Sequence, residues 1–127
     1  MMLNQIGAIA CGAVLGALFR WYLSNHLAQA TSLLALGTLI ANWLGAFLIG
    51  IAAALFDHYP ALSPQWKLLF ITGFLGSLTT FSSFSLEVVH MLQAQRYAVA
   101  LFTTSLHLIG SLAFTCLGMA IINSFRS

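Results

Sequence analysis

Four apolar stretches, each long enough to cross a lipid bilayer, account for most of the chain and leave only short polar segments between them. They lie at about residues 3–23, 33–55, 67–91 and 97–123. A membrane-spanning helix needs about 20 mainly apolar residues. The 127 residues therefore predict one all-α transmembrane domain of four helices, with no room for a soluble domain.

The composition supports an integral membrane protein. Hydrophobic residues make up 61% of the chain and charged residues 5%, whereas globular proteins average about 25% charged residues. The net charge of +2 is too small to suggest a nucleic-acid partner. Cys11 and Cys116 lie within apolar runs and are expected to be buried small side chains, not a disulfide or a metal pair. Residues 28–30 (AQA) resemble a signal-peptidase site, but no Lys or Arg precedes the first apolar run, so we expect no cleavage.

The third apolar stretch is interrupted at its centre by residues 73–85, whose sequence is GFLGSLTTFSSFS. Two glycines loosen the backbone there, and the hydroxyl side chains that follow offer it alternative hydrogen-bond partners. We therefore predict a helix broken near its middle. Such a break at bilayer depth is typical of an ion or substrate site, but small residues also line simple helix-packing seams. Phe81 and Phe84 are three residues apart and share a helical face.

Polar side chains in the second and fourth stretches leave similar alternatives open. Asn42 lies deep in the second stretch and must face protein or a water-filled cavity. It is either a hydrogen-bonding contact between helices or a donor to an anion. The fourth stretch carries a polar stripe that is either an interhelical seam or the wall of a pathway. The stripe consists of Thr104, His107, Ser111 and Thr115.

The first stretch combines a GxxxG pattern with a charged end. Gly12 and Gly16 give it a flat face that favours close helix packing. Arg20 is followed by Trp21 and Tyr22, a pattern typical of a side chain that reaches the interface beside an aromatic belt. Arg20 could instead form a basic vestibule that attracts anions to a pore mouth.

Basic residues do not favour one orientation of the chain. With four spans, Lys67 and Arg126 fall on one side of the membrane and Arg20 and Arg96 on the other. Because the positive-inside rule then gives no preference, both orientations should insert. Two oppositely inserted copies could pair about an axis in the membrane plane. The sequence does not determine roles for Glu87 or His107.

Three segments carry a resemblance to a known family. They are residues 12–22 (GAVLGALFRWY), 37–50 (GTLIANWLGAFLIG) and 73–85. Together they resemble the helix signatures of the bacterial fluoride channels of the Fluc family, also called CrcB. The resemblance extends over the whole chain, and the second and third segments are specific. Ser83 stands where Thr is common, and Trp21 lies between Arg20 and Tyr22.

The resemblance implies a passive fluoride channel in the inner membrane of a bacterium, built as an antiparallel dual-topology homodimer with two pores. It implies a fluoride path lined by Phe81 and Phe84, with Asn42 as a donor. It also implies a structural Na⁺ held at the dimer centre by the backbone carbonyls of Gly76 and Thr79. On the same resemblance, four further side chains are expected along the path and one in a vestibule at its entrance. The path residues are Ser82, Ser85, Ser111 and Thr115, and the vestibule residue is Arg20.

An alternative from another class is a small dual-topology multidrug exporter coupled to protons. Such a transporter is expected to use an acid within the membrane, and the first stretch contains none. A purely structural membrane subunit would leave the cluster of Asn42, Phe81 and Phe84 unexplained. No set of nucleophile, base and orienting residue suggests an enzyme.

Overall fold

The computed structural model describes residues 2–27 and 35–126, and these residues form helices joined by short turns. Among these described residues, four helical segments are long and apolar enough to span a membrane, as predicted. They are Met2–Leu27, Leu36–His58, Pro64–Gln93 and Tyr97–Phe125. The individual elements are α1 (Met2–Leu27), α2 (Leu36–His58), α3 (Pro64–Lys67), a π-helical segment (Leu68–Leu75), α4 (Gly76–Leu78), α5 (Phe81–Gln93) and α6 (Tyr97–Arg126).

The ends of the spans differ slightly from the sequence-based expectation. Helix α1 continues to Leu27, so the beginning of the polar segment expected to be a loop is helical. The candidate cleavage sequence at 28–30 and the predicted start of the second span lie outside the described residues. The third span begins at Pro64, because Pro suits the first turn of a helix and Oγ of Ser63 accepts a hydrogen bond from Gln65 N at 3.3 Å.

The third span is broken near its middle, which confirms the predicted interruption. Thr79 and Thr80 have extended backbones. Thr79 has φ of −86° and ψ of 154°, and Thr80 has φ of −150° and ψ of 119°. Their hydroxyls bond to the neighbouring backbone, as expected of Ser and Thr at a break. Thr79 Oγ1 donates to Leu75 O at 2.9 Å, and Thr80 Oγ1 accepts from Ser83 N at 3.1 Å. The hydroxyls thus end one helix and begin the next.

Close packing between two pairs of helical segments fixes the position of this break in the fold. Helix α1 lies along the π-helical segment, and α2 lies along α6. The GxxxG glycines of α1 are buried against the third span, as their spacing predicts. A Cβ on Gly12 would contact Leu69 O and would lie 2.7 Å from Phe74 N. The glycines allow backbone contact that a side chain would prevent.

Replacing Gly12 with Ala should therefore destabilise the fold, by about 1–3 kcal/mol as for other overpacked sites. Thermal unfolding in detergent measures the loss. Gly7→Ala is the matched control on the same helix, because a Cβ on Gly7 would contact nothing within 4 Å. The control should be neutral or slightly stabilising, since Ala favours helix over Gly. Equal melting temperatures for the two variants would contradict this account.

The interior of the single chain is small, and many large apolar side chains are exposed. The core cluster contains Ala41, Leu75 and Leu78. Both cysteines are free, but they are exposed on the outer helix faces, so the expectation that they are buried was wrong. Helices surrounded by hydrocarbon have no need to hide apolar side chains from their surroundings, so lipid can cover these surfaces.

Candidate functional site

The break in the third span faces a cavity of about 720 Å³, called the main cavity below. Its walls come from α2, from both sides of the break and from α6. Most of the residues selected from the sequence are brought together in this lining. They are Asn42, Gly76, Thr79, Phe81, Phe84, Ser111 and Thr115.

Asn42 clamps the extended backbone at the break. Its Oδ1 accepts from Thr80 N at 2.8 Å, and its Nδ2 donates to Thr80 O at 3.2 Å. A primary amide can bond to both the N–H and the carbonyl oxygen of one residue, because it carries an acceptor and a donor side by side. The backbone of a neighbouring β-strand offers the same pair of groups. Nδ2 also donates to Nδ1 of His107 at 3.1 Å. Both alternatives for Asn42 stay open, since it joins two helices and also lines the cavity.

The break leaves two backbone carbonyls without their helical donors. Thr80 N, which would bond to Gly76 O in a continuous helix, donates to Asn42 instead. Ser83 N, which would bond to Thr79 O, donates to Thr80 Oγ1. Gly76 and Thr79 both line the main cavity. Their carbonyl oxygens are therefore available as acceptors or as ligands.

The aromatic wall of the cavity consists of three rings. Phe81 and Phe84 meet edge to face, with ring centroids 5.6 Å apart and an angle of 64° between the planes. Phe81 is 78% exposed in the single chain. The centroids of Phe84 and His107 lie 4.4 Å apart. A phenyl ring carries positive partial charge at its edge, so such a wall can favour an anion.

The hydroxyl residues assigned to the path do not all lie in this cavity. Ser111 and Thr115 line it, and Thr115 Oγ1 donates to Ala46 O at 2.9 Å, so this hydroxyl also joins α6 to α2. Ser82 and Ser85 are exposed and lie outside the lining. Ser82 Oγ is 3.2 Å from Thr80 Oγ1. Their roles in a path stay predictions.

Arg20 also lies outside the lining of the main cavity. Its Nε donates to Ser77 O at 3.0 Å. Ser77 lies in the last turn of α4, where carbonyls lack helical partners and a cation is favourable. Arg20 therefore caps the helix on one side of the break, a contact that neither interpretation of its sequence position includes. A vestibule role stays a prediction.

A second polar contact lies one helical turn from Asn42 along α2 and about two turns from Thr80 along α5. Thr38 Oγ1 donates to Glu87 Oε2 at 2.7 Å. Glu87 Oε1 and the hydroxyl of Thr103 are buried without a described partner. The sequence places Glu87 near the edge of its span but gives no sign of its partner, because Thr38 is 49 residues away. Thr80 and His107 are the other members of the site whose contacts the sequence does not reveal.

A chain of four spanning helices, one broken where polar groups face a cavity, has the architecture of a membrane protein with an ion or substrate site at bilayer depth. A family model described as CrcB-like protein, Camphor Resistance (CrcB), matches residues 7–119. The chain belongs to this family.

Several relatives named as ion channels match almost the whole chain. A protein of Chromohalobacter salexigens named "Fluoride-specific ion channel FluC" is 55% identical over 119 residues, covering 94% of this chain and 90% of the relative. A protein of the same name from Polynucleobacter asymbioticus is 57% identical, covering 91% and 92%. Another from Pasteurella multocida is 51% identical, covering 93% and 92%. These relatives are named as channels and not as enzymes, in agreement with the sequence-based expectation.

Proposed function

We propose that the protein is a channel that lets fluoride leave the cell passively across the cytoplasmic membrane. The observation that carries the proposal is the clamped break, with its phenyl pair, in a chain more than half identical to a protein named as a fluoride-specific ion channel. The exporter alternative has no such support. The one acid within the third span, Glu87, accepts a hydrogen bond from Thr38.

The chemistry of the main cavity suits a small, strongly hydrated anion. Removing water from fluoride is the main barrier, and amide, hydroxyl and ring-edge groups can replace the water in steps. No Lys or Arg stands among the described residues that line the cavity. A path without a fixed cation binds the ion weakly at several places, which permits it to leave as well as to enter.

Liposomes loaded with fluoride test the proposal directly. We expect reconstituted protein to release fluoride to an external electrode only when a potassium ionophore carries a compensating charge. That dependence identifies electrogenic, passive movement. Efflux without the ionophore would indicate coupled transport, and no protein-dependent efflux in either condition would overturn the proposal.

We further propose that two copies assemble in opposite orientations. Phe81 is largely exposed although it lines the main cavity, so one chain leaves that wall incomplete. A second copy related by a two-fold axis would cover the same surface on both chains. The balanced distribution of Lys and Arg supports insertion in both directions.

Adding charge to one loop should fix the orientation. Ala61 and Leu62 are exposed in the turn before α3, so Ala61→Lys with Leu62→Lys adds two positive charges to one side. Accessibility of a C-terminal tag from each side should change from mixed to single, and fluoride efflux should fall. The neutral pair Ala61→Gln with Leu62→Gln should remain mixed. A tag found on one side only in the unmodified protein would contradict dual topology.

The freed carbonyls of Gly76 and Thr79 fit a structural Na⁺ at the centre of such a dimer. Unwound backbone carbonyls are common Na⁺ ligands at bilayer depth, and the donors of both groups are directed elsewhere. One chain supplies two oxygens, so a second copy would complete the set. The ion would link the subunits and take no part in selecting fluoride.

Removing sodium should therefore weaken the dimer. We expect the dimer fraction in gel filtration to decrease when Na⁺ is exchanged for N-methylglucamine at equal ionic strength, and to recover when Na⁺ is returned. Choline in place of N-methylglucamine controls for the identity of the substitute cation. A dimer fraction that does not depend on Na⁺ would contradict the assignment.

A further inference from the structure

The orientation of the Asn42 amide is fixed by the backbone of a single residue. Thr80 offers an N–H to Oδ1 at 2.8 Å and a carbonyl oxygen to Nδ2 at 3.2 Å. Rotating the amide by half a turn would place donor against donor and acceptor against acceptor. The extended conformation of Thr80 therefore determines which end of the Asn42 amide carries hydrogen.

This orientation determines the hydrogen position on the next side chain. Nδ2 of Asn42 has only hydrogens to offer, and it lies 3.1 Å from Nδ1 of His107. Nδ1 must therefore accept, and a neutral imidazole that accepts at Nδ1 carries its hydrogen at Nε2. His107 is 6% exposed and lines the main cavity beside Phe84. Among the described residues, Nε2 has no hydrogen-bond partner of its own.

We propose that Asn42 is a positioning residue, which uses the broken backbone at Thr80 to hold His107 in the tautomer whose Nε2–H is free to donate within the main cavity. The transport consequence rests on the proposed function, because the anion that would receive this hydrogen bond is fluoride. The chain of contacts runs from Thr80 through Asn42 to His107. The broken backbone at Thr80 and the Nε2–H donor of His107 are thus linked through Asn42.

The tautomer can be measured without any ion. In protein labelled with ¹⁵N at histidine, two-bond ¹H–¹⁵N spectra distinguish a protonated ring nitrogen from a bare one. The signal that disappears from the spectrum of His107→Phe is assigned to His107. His26 is an internal contrast, since its Nδ1 lies 3.0 Å from the carbonyl oxygen of Tyr22 and must carry the hydrogen there. We expect His107 to show hydrogen at Nε2, and hydrogen at Nδ1 in the wild type would overturn the proposal.

Exchanging the amide for a carboxylate should invert the result. In Asn42→Asp the side chain keeps its size and can still accept from Thr80 N, but an ionised carboxylate can only accept from His107. Nδ1 should then carry the hydrogen, as in an Asp–His pair of a serine protease. In Asn42→Leu, which lacks any polar group, the preference should be lost. An unchanged tautomer in either folded variant would overturn the proposal, and if neither folds the wild-type spectrum decides.

Fluoride efflux tests whether the Nε2–H of His107 donates to the transported ion. His107→Phe retains a ring beside Phe84 but removes Nε2–H, whereas His107→Gln retains an N–H at a similar distance from the backbone. We expect efflux to fall about tenfold or more in His107→Phe, as for the loss of one hydrogen bond to a charged group, and to be partly rescued in His107→Gln. Equal efflux from the two variants would overturn this step. Absence of efflux in the wild type would overturn the proposed function and leave the tautomer measurement intact.

Discussion

Fluoride efflux should fall at least about tenfold when Phe84 is replaced by Ile, because the loss of one favourable contact with a dehydrated ion typically costs that much. Ile retains an apolar side chain but removes the electropositive ring edge. It also removes the ring that meets Phe81 edge to face and lies 4.4 Å from His107. Electrode traces from liposomes measure the rate, and gel filtration checks that the variant is folded and assembled.

The matched control is Phe114→Ile. Phe114 is also half-buried, and its ring contacts Trp43 and Phe47 at centroid distances of 5.3 and 6.5 Å. It lies outside the lining of the main cavity, so its replacement should reduce stability and leave efflux largely intact. Phe84→Met should retain part of the function through the polarizable thioether. Wild-type efflux from a folded Phe84→Ile variant would show that the ring serves packing alone.

Asn42→Asp should abolish fluoride efflux. The substitution adds a negative charge to the cavity wall, and two unit charges about 4 Å apart repel by about 4 kcal/mol at an effective dielectric constant of 20. That repulsion corresponds to a roughly thousandfold penalty for an anion, whereas a cation pathway would tolerate it. The same change removes the donor to Thr80 O. Efflux is measured from liposomes with matched protein content.

Asn123→Asp provides the same chemical change away from the cavity. Asn123 is exposed near the end of α6, where its Oδ1 lies 3.0 Å from Nε2 of His58. Fluoride efflux through this variant should remain close to that of the wild type. If Asn42→Asp also retains efflux while folded, then the main cavity is not the path of an anion.

The local features of this chain could be predicted from residue types and spacing. Uniform hydrophobicity over about 20 residues is sufficient to indicate a membrane span. The break could be located within residues 73–85, because loosened backbone followed by hydroxyl groups is a property of contiguous residues. The shared face of Phe81 and Phe84 follows from helical spacing alone. Each of these depends on interactions within one segment.

The contacts of the site could not be predicted in the same way. Asn42 contacts residues 38 and 65 positions away, and Arg20 caps a helix 57 positions away. Ser82 and Ser85 share the motif of Phe84 but lie outside the main cavity. A hydrophobic pattern fixes which residues lie in the membrane, but it does not fix how one helix is rotated and displaced against another.

The sequence by itself determined four spans, an interrupted third helix and an even distribution of Lys and Arg between the two sides of the predicted topology. Only the tertiary structure decided that one amide holds the interruption open, frees the carbonyl of Gly76 and orients an imidazole. The physical reason is that each backbone group at the break needs a partner where water is absent. Which side chain becomes that partner depends on the close approach of three helices, a property of their packing and not of any one segment.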